Sequence, residues 1–196
     1  MKKITSPPST NTDVLPDFSG HPKHYNLDQS VVVKGLGTLK LRPIQLDDEK
    51  EMVTFHRNIS EESIYMRYFE YLGLDRRTSH ERLVRICTNT DESFAMVVEK
   101  PGKAEGIGTI MGVARLTKVA APYGATFDTL VVDEAYPMLS KVLLKHLISL
   151  ARAFGFRSLE GELLVADHDA TELCRDLNFS VRIMPEDHLV HVSLKL

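Results

Sequence analysis

From Val31 onward the polar and apolar positions fall into short periodic segments. Residues 31–33 and 39–44 alternate around Lys34-Gly35-Leu36-Gly37, which predicts a hairpin with its turn at the glycines. Met52, Phe55 and Ile59 then recur at helical spacing behind Asp47 and Asp48, either of which can cap a helix. Ser60-Glu61-Glu62-Ser63 reads as a second helix entry, a hydroxyl followed by acids at the positive end of the helix dipole. Ser79 opens a third helix, with Leu83, Ile86 and Cys87 on its inner side. Beyond Asn89 the period falls to two or to continuous apolar runs. Residues 94–99, 106–117 and 125–132 predict three strands, the first stopped by Pro101-Gly102.

Residues 137–154 carry the strongest helical signal, with Leu143, Leu147, Leu150 and Phe154 down one side. A strand over 158–165, a helix over 169–177 and strands over 179–183 and 189–194 complete the chain. Strands are consecutive in the middle and alternate with helices at the end. The pattern predicts an α/β fold, a mixed central sheet with helices on both faces, over residues 29–196. Residues 1–28 differ: Pro7, Pro8, Pro16 and Pro22 lie among Ser, Thr, Asn and Asp without apolar periodicity, which predicts an extended or mobile N-terminal arm.

Composition narrows the function. The 196 residues are 43% apolar and 26% charged, the balance of one ordinary globular domain. With 24 Lys and Arg against 27 Asp and Glu, the net charge is -3, so no nucleic-acid partner is expected. No apolar run approaches the roughly 20 residues of a bilayer span, and Lys2 and Lys3 are followed by no apolar stretch, so neither a membrane segment nor a secretory leader is expected. Cys87 and Cys174 are the only cysteines, which suits a reduced, cytoplasmic chain.

Several segments together resemble the GNAT acyltransferase superfamily, and more narrowly the protein-lysine acetyltransferase domains associated with ADP-forming acetyl-CoA synthetases. Leu41-Arg42-Pro43-Ile44 with Asp47-Asp48-Glu49 is similar to that group's first strand and helix entry. The run from Ile59 to Phe69 is similar to its second helix, and Ser79-His80-Glu81-Arg82-Leu83 to the next. Gly112-Val113-Ala114-Arg115-Leu116 resembles its third strand. Lys141 to Arg152, then Glu162 to Phe179, resemble the later helix-strand-helix run.

The resemblance implies that acetyl-CoA or another acyl-CoA lies where two central parallel strands splay apart. It implies that pantetheine pairs with Leu130-Val131-Val132, and that pyrophosphate rests on N–H groups opening the next helix, at Met138, Leu139, Ser140 and Lys141. An amine, on a small molecule or a protein lysine, then attacks the thioester with the help of a general base.

The residues depart from the family's pattern at three places. Met138 and Ser140 fill the glycine positions of the pyrophosphate loop, Pro137 offers no N–H, and Asp133 and Glu134 precede it. Thr126 stands where the narrower group has its acidic residue, leaving Asp128, two residues on and on the same strand face, as the candidate base. Asp167 replaces an asparagine that commonly contacts CoA. Two readings follow: an acyl-CoA-dependent N-acyltransferase, or a GNAT-fold module that has lost CoA chemistry and binds a protein or small ligand.

Other features are weaker. Gly106, Gly108 and Gly112 lack dinucleotide-loop spacing and context. His188 and His191 are three apart in a strand and face opposite ways, while His21 and His24 lie in the arm, so no metal is expected. Cys174, between Leu173 and Leu177, reads as packing. Tyr65, Arg67, Tyr68 and Phe69 read equally as an acceptor wall or as burial against the sheet.

Overall fold

The computed structural model describes residues 15–20, 22–102, 108–120 and 123–196. Eight strands form one sheet in the order β1-β2-β3-β4-β5-β6-β8-β7. β1 (Gln29–Val33) and β2 (Gly37–Pro43) make the expected hairpin, with Gly35 and Gly37 both at φ +83°, a conformation that favours glycine. β3 (Ser93–Lys100), β4 (Thr109–Lys118) and β5 (Gly124–Val131) extend it as an antiparallel meander. β6 (Ser158–Leu164) joins β5 in parallel, and β8 (Leu189–Lys195) and β7 (Ser180–Met184) close the sheet antiparallel. This is the mixed α/β sheet that the sequence predicts. Gly106, expected to begin the β4 segment, lies outside the described residues.

Two sets of helices cover the sheet. On one face lies α5 (Met138–Phe154), whose leucines fill the core and which ends on Gly155 at φ +96°. A Cβ at Gly112 on β4 would stand 2.9 Å from Val131 and 3.1 Å from Leu143, so this glycine lets α5 lie close to β4 and β5. α6 (His168–Asp176) flanks β7 and β8. On the opposite face α1 (Glu49–Arg57) packs on β4, and α2 (Glu61–Tyr68) lies over β5 and β6. α3 (Leu74–Arg77), which no periodicity announces, leads into α4 (His80–Ile86).

Ser60 caps α2, its Oγ accepting from the Ser63 N–H at 3.2 Å. Asp48 does not cap α1 with its side chain. It is buried, accepts the Gln45 N–H at 2.7 Å, and takes both terminal nitrogens of Arg42 at 2.8 and 2.7 Å. Arg42 also donates to Glu99 at 2.8 Å, so one guanidinium ties β2, the entry to α1 and β3 together.

The arm is anchored where it is described. Phe18 is 6% exposed and sits edge-on to Phe154 with a 5.0 Å ring separation, beside Phe94 and Phe156. The Lys23 N–H donates to Ala153 O at 3.0 Å, and Tyr25 Oη meets His146 Nδ1 at 3.0 Å. The expectation for residues 1–14 and His21 falls outside the described residues. Among the described residues no helix is long and apolar enough to cross a membrane.

Candidate active site

β5 and β6 pair only at Gly124–Ser158, Ala125–Leu159 and Thr126–Glu160, then part. Phe127 stands at the point of parting. A Cβ on Gly161, the first position past the last pair, would stand 2.7 Å from the Phe127 ring, so the ring lies against bare β6 backbone. Phe179 backs the ring at 5.3 Å. Beyond this point a cleft of about 830 Å³ opens between the strands at their carboxyl ends, where open α/β sheets hold ligands.

The edge that β5 presents to the cleft follows from its register with β4. The Val132 N–H donates to Met111 O, and the ladder pairs Val113 with Leu130 and Arg115 with Asp128. In an antiparallel ladder such pairs alternate, so Leu130 and Val132 spend their backbone groups on β4, while those of Thr129 and Val131 point toward the parted β6. Of the stretch expected to pair with pantetheine, Leu130 and Val131 line the cleft and Val132 is buried behind it.

At the head of α5 only Ser140, of the four expected residues, reaches the cleft wall. Leu139 is buried in the core and Met138 is 44% exposed outside the cleft. Lys141 turns away, its Nζ 2.7 Å from Asp176 on α6. Tyr136 takes its place in the lining, and its hydroxyl donates to Asp167 Oδ1 at 3.1 Å. Burial, and next to it the Asp167 charge, push the Tyr136 phenol above its ordinary range. Asp167 also accepts the Ala170 N–H at 3.0 Å and so caps α6. Tyr136 and Asp167 thus form a strap between the heads of α5 and α6.

Asp133 has a structural duty as well. Its carboxylate accepts the Ser60 N–H at 3.1 Å and the Ser63 hydroxyl at 2.7 Å, fastening the start of α2 beside the loop that leads to α5.

On the α2 face, Asp128 is paired with Arg67 at 2.5 Å. Burial alone would lower the Arg67 guanidinium, but Asp128 and Tyr68 together more than offset this and raise it. The Asp128 carboxylate is thus engaged by a guanidinium on α2. The second helix divides its roles. Glu62, Ser63, Met66, Arg67 and Phe69 line the cleft, whereas Tyr65 stacks on Tyr71 at 4.7 Å and Tyr68 is flanked by Arg67 and Arg82. Cys174 borders the cleft, but burial and, after it, Asp167 push its thiol up to about 12, so it is not a thiolate near neutral pH. Glu160, Glu162 and His191 also line the cleft, three residues that the sequence pattern gives no reason to group. His188, by contrast, lies outside the strand at φ 55°.

No protein-family model matches the chain. Among solved structures, the GNAT domain of S. lividans PAT superposes with a TM-score of 0.75 at 25% identity, covering 90% of this chain and 100% of that one. Mycobacterium smegmatis RimJ, in complex with CoA-disulfide, gives 0.66 at 12% identity over 90% of each chain. The yncA protein of Salmonella typhimurium, solved with its cofactor acetyl-CoA, gives 0.57 at 17% identity over 81% of this chain and 94% of that one. Sheet order, the parting of β5 from β6 and these superpositions agree: the chain has the GNAT fold.

Proposed function

We propose that the cleft binds an acyl-CoA and passes its acyl group to a primary amine. The observation that carries this reading is the free edge of β5: Thr129 and Val131 leave backbone N–H and C=O groups without a strand partner beside a cleft of about 830 Å³. Pantetheine, an extended chain with two amides, is matched to such an edge in the way a peptide adds to a sheet. A bound acyl-CoA supplies the activated thioester carbon that an amine nitrogen attacks. Ser140, Leu144, Ala170 and Leu173 give the donor side of the cleft a small and apolar wall. On the other side, Glu62, Asp128, Glu160 and Glu162 outnumber Arg67, which favours an acceptor that arrives as a cation, such as a lysine side chain or a small diamine.

A second reading is supported by the head of α5. Pro137 donates no N–H there, Met138 and Ser140 carry side chains at the loop's glycine positions, and Asp128 is engaged by Arg67. A domain of this kind could hold a protein or small ligand in the cleft without CoA chemistry.

Calorimetric titration with acetyl-CoA, and separately with CoA, tests the two. Micromolar binding, lost in Ala166→Trp at the exposed mouth of the cleft, supports acyl transfer. No binding up to millimolar ligand refutes it and leaves the second reading.

A further inference from the structure

Acyl transfer requires a group to take the proton of the attacking nitrogen, and Asp128 is engaged by Arg67. A different pair stands on the same face of the sheet. Thr126 is the register partner of Glu160, and Glu162 is the partner of His191. Side chains of partnered residues share a face, so Thr126, Asp128, Glu160 and His191 project together toward the α2 side. Glu160 and His191 both line the cleft, with 3.6 Å between Glu160 Oε2 and His191 Nε2 and about a third of each side chain exposed (34% for His191, 40% for Glu160).

We infer that His191 is the proton acceptor of this cleft and that Glu160 positions its imidazole, an inference that rests on the acyl-transfer reading. Imidazole is the side chain best suited to take and return a proton near neutral pH. At 3.6 Å the Glu160 carboxylate is beyond hydrogen-bond length from Nε2, but its charge favours the tautomer with the hydrogen there, which leaves the lone pair on Nδ1. The acceptor ammonium first releases one proton to solvent; its neutral nitrogen then bonds to the thioester carbon, the C–S electron pair departs with sulfur, and the nitrogen's second proton passes to Nδ1. The imidazolium, held by Glu160, returns that proton to the CoA thiolate, so atoms and charge balance. Arg182 on β7 and Glu162 on β6, both register partners of His191, share that face, and Glu62 and Arg67 on α2 and Asp128 on β5 carry the other charges of this side of the cleft.

The test uses the full chain and bromoacetyl-CoA, whose bromomethyl carbon adjoins the thioester. Nδ1 of a neutral imidazole within reach displaces bromide, forming a C–N bond and one alkylated residue that peptide mass spectrometry locates. The expected adduct is on His191, absent from His191→Gln while that variant still binds CoA in calorimetry. In ¹⁵N spectra, the neutral His191 ring is expected as the Nε2–H tautomer, reverting to a mixture in Glu160→Gln. Alkylation of Asp128 or Cys174, or none while CoA binds, overturns the role of His191 and leaves acyl transfer standing. A tautomer unchanged in Glu160→Gln overturns the positioning role. Absence of CoA binding in the wild type removes the acyl-transfer reading, and this inference with it.

Discussion

Replacing Asp128 with asparagine should destabilise the domain by removing the counter-ion of Arg67. At 2.5 Å, with an effective dielectric of about 20, the Coulomb attraction is about 6–7 kcal/mol before desolvation is subtracted. Removing one partner of a fully buried pair costs about 3–5 kcal/mol because the survivor is left unpaired. Here the two side chains are 26% and 29% exposed, so water recovers part of that, and a cost of about 1–3 kcal/mol follows. For a chain of this size that is a fall in Tm of roughly 2–4 °C for each kcal/mol. The assay is urea unfolding of Asp128→Asn, Arg67→Met and the double variant. The double variant should lose less than the sum of the singles, with a coupling energy of at least about 1 kcal/mol. Coupling below about 0.5 kcal/mol would refute the pair as a contributor to the fold and would return Asp128 to the pool of unengaged carboxylates.

Other perturbations test other parts of the architecture. Phe18→Ala should cost about 3–5 kcal/mol in chemical denaturation, because the ring is 6% exposed among three other phenylalanines; a loss below about 1 kcal/mol would show the arm to be dispensable. Gly161→Ala should cost about 1–3 kcal/mol, since its Cβ would stand 2.7 Å from the Phe127 ring, and Phe127→Leu in the same chain should recover part of it. His56 is 1% exposed, and burial, with Arg77 and Arg82 nearby, lowers its pKa from 6.5 to about 4. Its unfolded form therefore binds a proton that its folded form refuses, so stability should fall as pH drops from about 6.5 to about 4, by up to about 3 kcal/mol, and level off below. Unfolding curves of the wild type and His56→Leu at pH 7 and 4.5 should differ in this dependence; equal slopes would refute it.

The elements that sequence alone discloses are those whose signal is local. The α5 leucines, the Gly35 and Gly37 turn and the Ser60 hydroxyl each act within a few residues of themselves, and each is found where periodicity and capping place it. α3 is not disclosed, because the four residues Leu74–Arg77 are too few to show a helical period. The capping expectation for Asp48 fails for a non-local reason. The Asp48 carboxylate is turned to Arg42, which gives it two charge-assisted hydrogen bonds, and to the Gln45 N–H ahead of the helix, so it does not reach the first turn of α1.

The cleft is legible only in outline, because its form depends on contacts between distant segments. That β5 should border a cleft is what the resemblance to the GNAT superfamily implies. Where the edge begins, past the Thr126–Glu160 pair and beside Phe127 on Gly161, is set by contacts between two strands with a helix between them. The charged residues follow the same rule. Asp133 looks like a source of repulsion beside a phosphate loop until Ser60 and Ser63 are seen to occupy it, and Lys141 looks like a phosphate ligand until Asp176 is found at 2.7 Å. Asp167 looks like a misplaced charge until Tyr136 and the first turn of α6 are found on it. In each case the chain has given the polar group a partner, so its formal charge overstates the field it projects into the cleft. For an anionic donor these pairings oppose one another: neutral hydrogen-bond donors soften Asp133 and Asp167, while Asp176 takes up the cation that Lys141 would have offered. The pairing of Asp128 moves the search for a base from β5, where a sequence pattern looks for it, to the far side of the same face.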